Sequence, residues 1–136
     1  VVTNGNDDGI GSLRFAIAQC SNPEDYIYIA EFIDSIFLVS DTIILDKNLS
    51  IFHSGNEKVV IQTTSSSPVF KTNPGVLITL NNIEIHSGGV ASSKALLNNG
   101  NTILWNVDII NSIPGEIPVM NTGILEISET VQIKNQ

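Results

Sequence analysis

Val59-Val60-Ile61, Ile83-Glu84-Ile85, Val107-Asp108-Ile109 and Val131-Gln132-Ile133 recur along this chain at a constant step of 24 residues. Each triplet has a β-branched residue first and third. In an extended chain, that alternation turns the outer pair to one face and the middle residue to the other. Glu84, Asp108 and Gln132 are polar, as a solvent face requires, and Val60 is the exception. A fixed step of roughly 20–50 residues marks a solenoid or an array of stacked units. Three longer blocks superpose on the same frame, beginning at Gly75, Gly100 and Gly123. The unequal steps between these glycines imply that each turn absorbs about one inserted or deleted residue.

Outward from the triplets, short apolar pieces continue from Tyr26 to Ile133, separated by Asn, Gly, Ser, Asp and Pro. That punctuation is turn chemistry, and no helix is expected in this part. A repeat of this length suits three short strands and three bends. Like stacks on like, so neighbouring turns pair in parallel and hairpins are disfavoured. The expected hand of such connections is right. Stacking also brings equivalent side chains into ladders. Asn82 and Asn106 are one such pair, each at the bend before an inward Ile83 or Val107. Asn tolerates the left-handed backbone of a tight bend, and stacked amides can hydrogen-bond along the axis. Thr130 takes the next equivalent place, where the amide ladder is expected to stop.

The beginning of the chain reads differently. Val2-Thr3 leads into a Gly/Asn/Asp turn, and Ser12 is a good helix N-cap. Leu13, Ala16, Ile17 and Cys20 then follow at i, i+3, i+4 and i+7, a helical apolar stripe. Asn22-Pro23 is the expected stop. A solenoid exposes an apolar end and needs a cap. The short helix is expected to supply it, with Arg14 and Gln19 facing water. The expected division is therefore 1-22 for the strand, turn and capping helix, and 23-136 for the solenoid. At the other end the last triplet is still in register when the sequence stops. Further chain or a partner is expected to cover it.

Val2, Thr3, Asn4, Asn6, Asp7, Gly9, Gly11, Ser12, Leu13, Arg14, Ala16 and Ile17 together resemble the N-terminal signature of bacterial surface and secreted parallel β-helix proteins. These include adhesin-like and polymorphic outer-membrane types. Phe15 stands where that family often has Glu. The resemblance implies a right-handed, single-stranded parallel β-helix, here of about five turns. It also implies a non-catalytic role in adhesion or display, export to the cell surface or medium, and, by analogy, type IX secretion. A protein or glycan on a cell surface is the expected partner.

Composition sets limits on function. Only 6% of residues are aromatic against 42% hydrophobic, so the core must be built from Ile, Val and Leu. Arg14 is the sole arginine and the net charge is −8, which argues against nucleic acid and anionic lipid. No apolar run approaches the ~18 residues of a membrane-spanning helix. The chain starts inside a strand-like Val1-Val2-Thr3 without a leader pattern, as a mature or excised segment would. Cys20 stands alone, which leaves no intrachain disulfide or cysteine-based metal site.

Several residues could carry chemistry. Asn4, Asn6 and Asp8 have the spacing that opens a calcium loop, but the twelfth position, where a bidentate acid is needed, is Phe15. The stretch reads as a turn, and no metal or other cofactor is expected. Glu84 and Asp108 lie one turn apart in register, about 4.8 Å on the outer face. Glycoside hydrolysis needs two carboxylates about 5–9.5 Å apart, and lyase chemistry needs a base and a charge-neutralising Arg, Lys or calcium; a β-helix polysaccharide lyase or glycoside hydrolase is the alternative to the non-catalytic reading. Gln132 continues the same column and no arginine follows Arg14, so a solvated polar column is the preferred reading. His53-Ser54-Gly55 and His86-Ser87-Gly88 look like one turn repeated, without a nearby carboxylate pair. Trp105 aligns with Asn81 and Glu129. It is expected either to be exposed as a ligand-binding aromatic or to pack beneath the loop at 113–116. A stalk that binds nothing is the third reading.

Overall fold

A computed structural model describes residues 1–21, 25–89, 93–113, 117–128 and 130–135. The Asn22-Pro23 stop, residues 114–116 and Glu129 lie outside them. The chain forms one short helix and a parallel β-solenoid with a repeat of about 24 residues. Helix α1 spans Leu13–Gln19. The strands are β1 (Asp25–Ile29), β2 (Ser35–Leu38), β3 (Ile43–Leu45), β4 (Leu49–His53), β5 (Val59–Thr63), β6 (Phe70–Thr72), β7 (Leu77–His86), β8 (Leu96–Asn98), β9 (Asn101–Asn111), β10 (Val119–Asn121), β11 (Ile124–Ile127) and β12 (Gln132–Asn135).

These strands stack in three columns. The first column is β1, β4, the first arm of β7, the first arm of β9, then β11. The second is β2, β5, the second arms of β7 and β9, then β12. The third is β3, β6, β8 and β10. That gives four complete three-sided turns and two sides of a fifth, rather than about five full turns. Every pairing is parallel.

The interior is filled by the inward position of each column. Ile27, Ile51, Leu80 and Leu104 stack in register on the first side, and Ile36, Ile61, Ile85 and Ile109 on the second. Phe70 and Leu96 stack on the third. All of these are buried. Each fully buried aliphatic side chain contributes ~1.5–3 kcal/mol relative to exposure, so these columns carry the fold. Ile127 and Ile133 continue them by register but are exposed, because no later turn among the described residues lies over them.

The bends are made by few residues. Long strands β7 and β9 turn the first corner at Asn82 (φ 61°) and Asn106 (φ 50°), and Thr130 (φ 57°) repeats the conformation. Asn106 Nδ2 donates to Asn82 Oδ1 at 3.0 Å. Asn82 Nδ2 in turn reaches the carbonyls of His53, Gly55 and Glu57 at 3.1, 2.8 and 3.3 Å. A second, more deeply buried ladder occupies the corner after the third side. Thr72 and Thr102 hydroxyls donate to Asn98 Oδ1 at 2.6 and 2.8 Å, and Asn98 Nδ2 donates to Asn121 Oδ1 at 2.8 Å. At this corner Gly100 and Gly123 are in register. A side chain on Gly123 would collide with the Gly100 carbonyl, so close approach selects glycine there. Gly75 falls one residue earlier and has φ 84°, so its glycine serves backbone freedom instead.

Helix α1 covers the first turn. Ser12 Oγ accepts from Phe15 N at 3.1 Å, and Leu13 and Ile17 are buried. Ala16 and Cys20 pack partly buried on the same core, while Gln19 is exposed. Arg14 does not face water as the stripe suggested. Its guanidinium donates to the Asp7 carboxylate at 3.1 Å, to the Asp7 carbonyl and to the carbonyls of Asp41 and Thr42. Asp7 also accepts from Ser40 Oγ at 2.6 Å. This clasp ties the N-terminal turn to the corner between β2 and β3. Burial alone would raise the Asp7 pKa, but the bonds from Ser40 and Arg14 outweigh it and hold the carboxyl below its ordinary value.

Candidate functional site

Two outward surfaces hold the residues with chemical potential. On the second column, Val60, Glu84, Asp108 and Gln132 are neighbours in register. Glu84 and Asp108 therefore sit on adjacent turns, both partly buried. Each has a basic partner that the triplet pattern did not reveal. His86 Nε2 lies 2.7 Å from Glu84 Oε2, two residues along the same strand and on the same face. Lys58, at the corner before β5, reaches past the Glu84 row to Asp108 Oδ2 at 3.3 Å. The result is a patch in which each acid contacts a basic side chain.

The histidines are not equivalents of one another. His53 ends β4 in the first column and points inward, buried, with Nδ1 2.8 Å from the Glu57 carbonyl. His86 ends the second arm of β7, in register with Gln62 and Ile110, and points outward. The shared His-Ser-Gly motif concealed this, because the two strands end on different sides of the solenoid. His86 has one carboxylate neighbour, Glu84.

Asn4 and Asp8 are engaged in hydrogen bonds within their own turn. Asn4 Oδ1 accepts from Asn6 N at 3.1 Å, Asn4 Nδ2 donates to the Ile10 carbonyl, and Asp8 Oδ1 accepts from Gly9 N at 2.8 Å. Among the described residues no cluster of three or more His, Cys, Asp or Glu could hold a metal ion. Cys20 is partly buried beside Asp25. Burial first, then that carboxylate, push its thiol pKa up, which keeps it in the unreactive protonated form.

The outward surface of the first column is aromatic. Trp105 is 47% exposed, Tyr28 45% and Tyr26 66%. Tyr28, Phe52, Asn81 and Trp105 are successive members of one register line. Beyond Trp105 the line continues to Ser128, whose N–H donates to the Leu104 carbonyl at 2.9 Å, and not to Glu129. The step in this column shortens to 23 residues after β9, which moves the alignment by one. Ring contacts order the tyrosine end: the Tyr28 and Phe52 centroids are 4.1 Å apart at 69°, and Tyr26 meets Phe52 at 6.5 Å and 81°. Cavities flank the strip at both ends. One of about 410 Å³ lies between Tyr26 and the helix, lined also by Phe15, Ala16 and Cys20. The other, about 540 Å³, lies between Trp105, Ile103 and Glu126.

Trp105 was singled out in the sequence. The tyrosines and Phe52 were not joined to it, although Tyr26, Tyr28 and Phe52 alternate with inward Ile27 and Ile51 in the strand pattern. The obstacle was the 29-residue step between β4 and β7, which breaks the 24-residue frame that would have aligned them. No family of proteins, no curated protein and no solved structure matches the chain.

Proposed function

We propose that this chain is a non-catalytic segment of a bacterial cell-surface or secreted protein, a rigid solenoid that works by adhesion or display. The observation that carries this reading is the aromatic strip formed by Tyr26, Tyr28, Phe52 and Trp105 on one exposed side. Aromatic side chains are enriched at contact surfaces relative to the rest of a protein's surface, and three of these four, Tyr26, Tyr28 and Trp105, are exposed on the same side. Aromatic side chains at such a surface offer large contact area at small entropic cost. The N-terminal residues from Val2 to Ile17 that resemble surface-protein β-helices support the same reading. The direct test is retention of the fluorescently labelled protein on a panel of bacterial and animal cells. Wild type should be retained on at least one cell type, and Tyr28→Ser/Trp105→Ser protein should not.

A second reading is favoured by a specific observation. Glu84, His86, Asp108 and Lys58 together supply the acid, base and cation that a carbohydrate-active β-helix enzyme needs. The engagement of each acid by a basic neighbour argues for a paired polar surface instead. Measurable cleavage of a polysaccharide, lost in Asp108→Asn, would establish the enzyme. A chain that is retained on no cell and cleaves no polysaccharide is a stalk.

A further inference from the structure

Resting on the adhesive reading above, we infer that the aromatic side binds a neutral, linear glycan laid along the solenoid axis. The ring cluster of Tyr26, Tyr28 and Phe52 forms one platform, and Trp105 forms a second two turns away. With turns spaced by the ordinary interstrand distance, the platforms are about 10 Å apart. The T-shaped packing of both tyrosines on Phe52 fixes the first platform before any ligand arrives, which lowers the ordering cost of binding.

Between the platforms, in register, sit Asn81 and Thr79. A pyranose offers the complementary set: an apolar C–H face for a ring and equatorial hydroxyls for an amide or a hydroxyl. Ring, amide and ring in sequence along one line match consecutive sugars of a chain. The centre here is polar and uncharged, which suits sugar hydroxyls better than the more apolar core of a protein–protein interface.

Charge selects among glycans. Among the described outward positions of this column the one charged residue is Glu126, and the chain as a whole carries −8. No lysine or arginine on this side would meet a uronate or sulfate, so acidic polysaccharides are repelled and neutral ones are accepted.

Trp105 is the only tryptophan, so its emission reports occupancy directly. The intact chain is titrated with cellohexaose, chitohexaose and laminarihexaose, and with hexaguluronate as the acidic comparison. The expected result is a saturable change with at least one neutral hexasaccharide and none with hexaguluronate. Tyr28→Ala should weaken that binding at least tenfold. By calorimetry Trp105→Ala should do the same, Trp105→Phe should restore part of it, and Asp108→Asn should change nothing. Far-UV circular dichroism confirms that each variant is folded. No saturable response to any neutral hexasaccharide, equal response to hexaguluronate, or unchanged affinity in Tyr28→Ala and Trp105→Ala would each overturn the inference. If glycans fail while cell retention still falls in Tyr28→Ser/Trp105→Ser, the occupant is a protein and the adhesive role stands. If retention is also indifferent to these residues, both fail together.

Discussion

Replacing Asn82 should be among the most damaging single changes to this solenoid outside its apolar core. The side chain is buried, and its two amide hydrogens are shared among the carbonyls of His53, Gly55 and Glu57. Its oxygen accepts from Asn106. In Asn82→Ala about two net hydrogen bonds are lost at ~1 kcal/mol each, and a buried carbonyl left without a donor costs ~1 kcal/mol more. The backbone is held at φ 61°, where alanine pays a further ~1 kcal/mol. The expected loss is about 3–4 kcal/mol. With a urea m-value of ~1.5 kcal/mol/M, that lowers the midpoint by about 2 M. Asn82→Gly loses the same bonds without the steric cost, so it should be milder than alanine by about 0.5–1 kcal/mol, even after glycine's greater unfolded-state entropy. Urea unfolding followed by circular dichroism and by Trp105 fluorescence measures both variants. A loss below ~1 kcal/mol in Asn82→Ala, or a glycine variant less stable than the alanine one, would refute the argument that the amide and the bend act together.

Other consequences follow from the same geometry. The Asp7 carboxyl has a folded pKa held below its ordinary value of 3.8, so its ionised form stabilises the fold above that pH. The stability gap between wild type and Asp7→Asn should be constant at neutral pH and shrink as pH falls below 3.8 through the folded pKa, as read by thermal unfolding across a pH series. Leu104→Ala, at a fully buried position in the first column, should cost about 2–5 kcal/mol in the same unfolding assay. Lys58→Ala, by contrast, removes a part-exposed ion pair and should cost less than ~1 kcal/mol. Cys20, with its thiol pKa raised, should react with iodoacetamide at neutral pH more slowly than a free cysteine peptide, and equal rates would contradict its burial against the helix.

Much of the architecture was legible because the triplets beginning at Val59, Ile83, Val107 and Val131 lie in one column whose register step stays at 24 from β5 onward. Where the step varies, the sequence misleads. The long corner between β4 and β5 hid the line from Phe52 through Asn81 to Trp105, and the short one after β9 exchanged Glu129 for Ser128. The Thr72–Asn98–Asn121 ladder, buried at Thr72 and Asn98, was equally hidden, although Asn98 and Asn121 each stand two residues before an aligned glycine. Side-chain pairing was the other blind spot. Arg14 looked like a solvent-facing helical residue, but its reach is long enough to find carbonyls of another corner. Lys58 likewise crosses a full turn to meet Asp108. Register places backbones, and long flexible side chains then choose partners that periodicity does not specify.

The central claim is that this solenoid acts through its aromatic side and not through its charged column. The most direct measurement is retention on the responsive cell type of three proteins side by side: wild type, Tyr28→Ser/Trp105→Ser, and Glu84→Gln/Asp108→Asn. The account predicts at least a tenfold loss in the aromatic variant and wild-type retention in the charge variant. Wild-type retention in the aromatic variant, with loss in the charge variant, would contradict it.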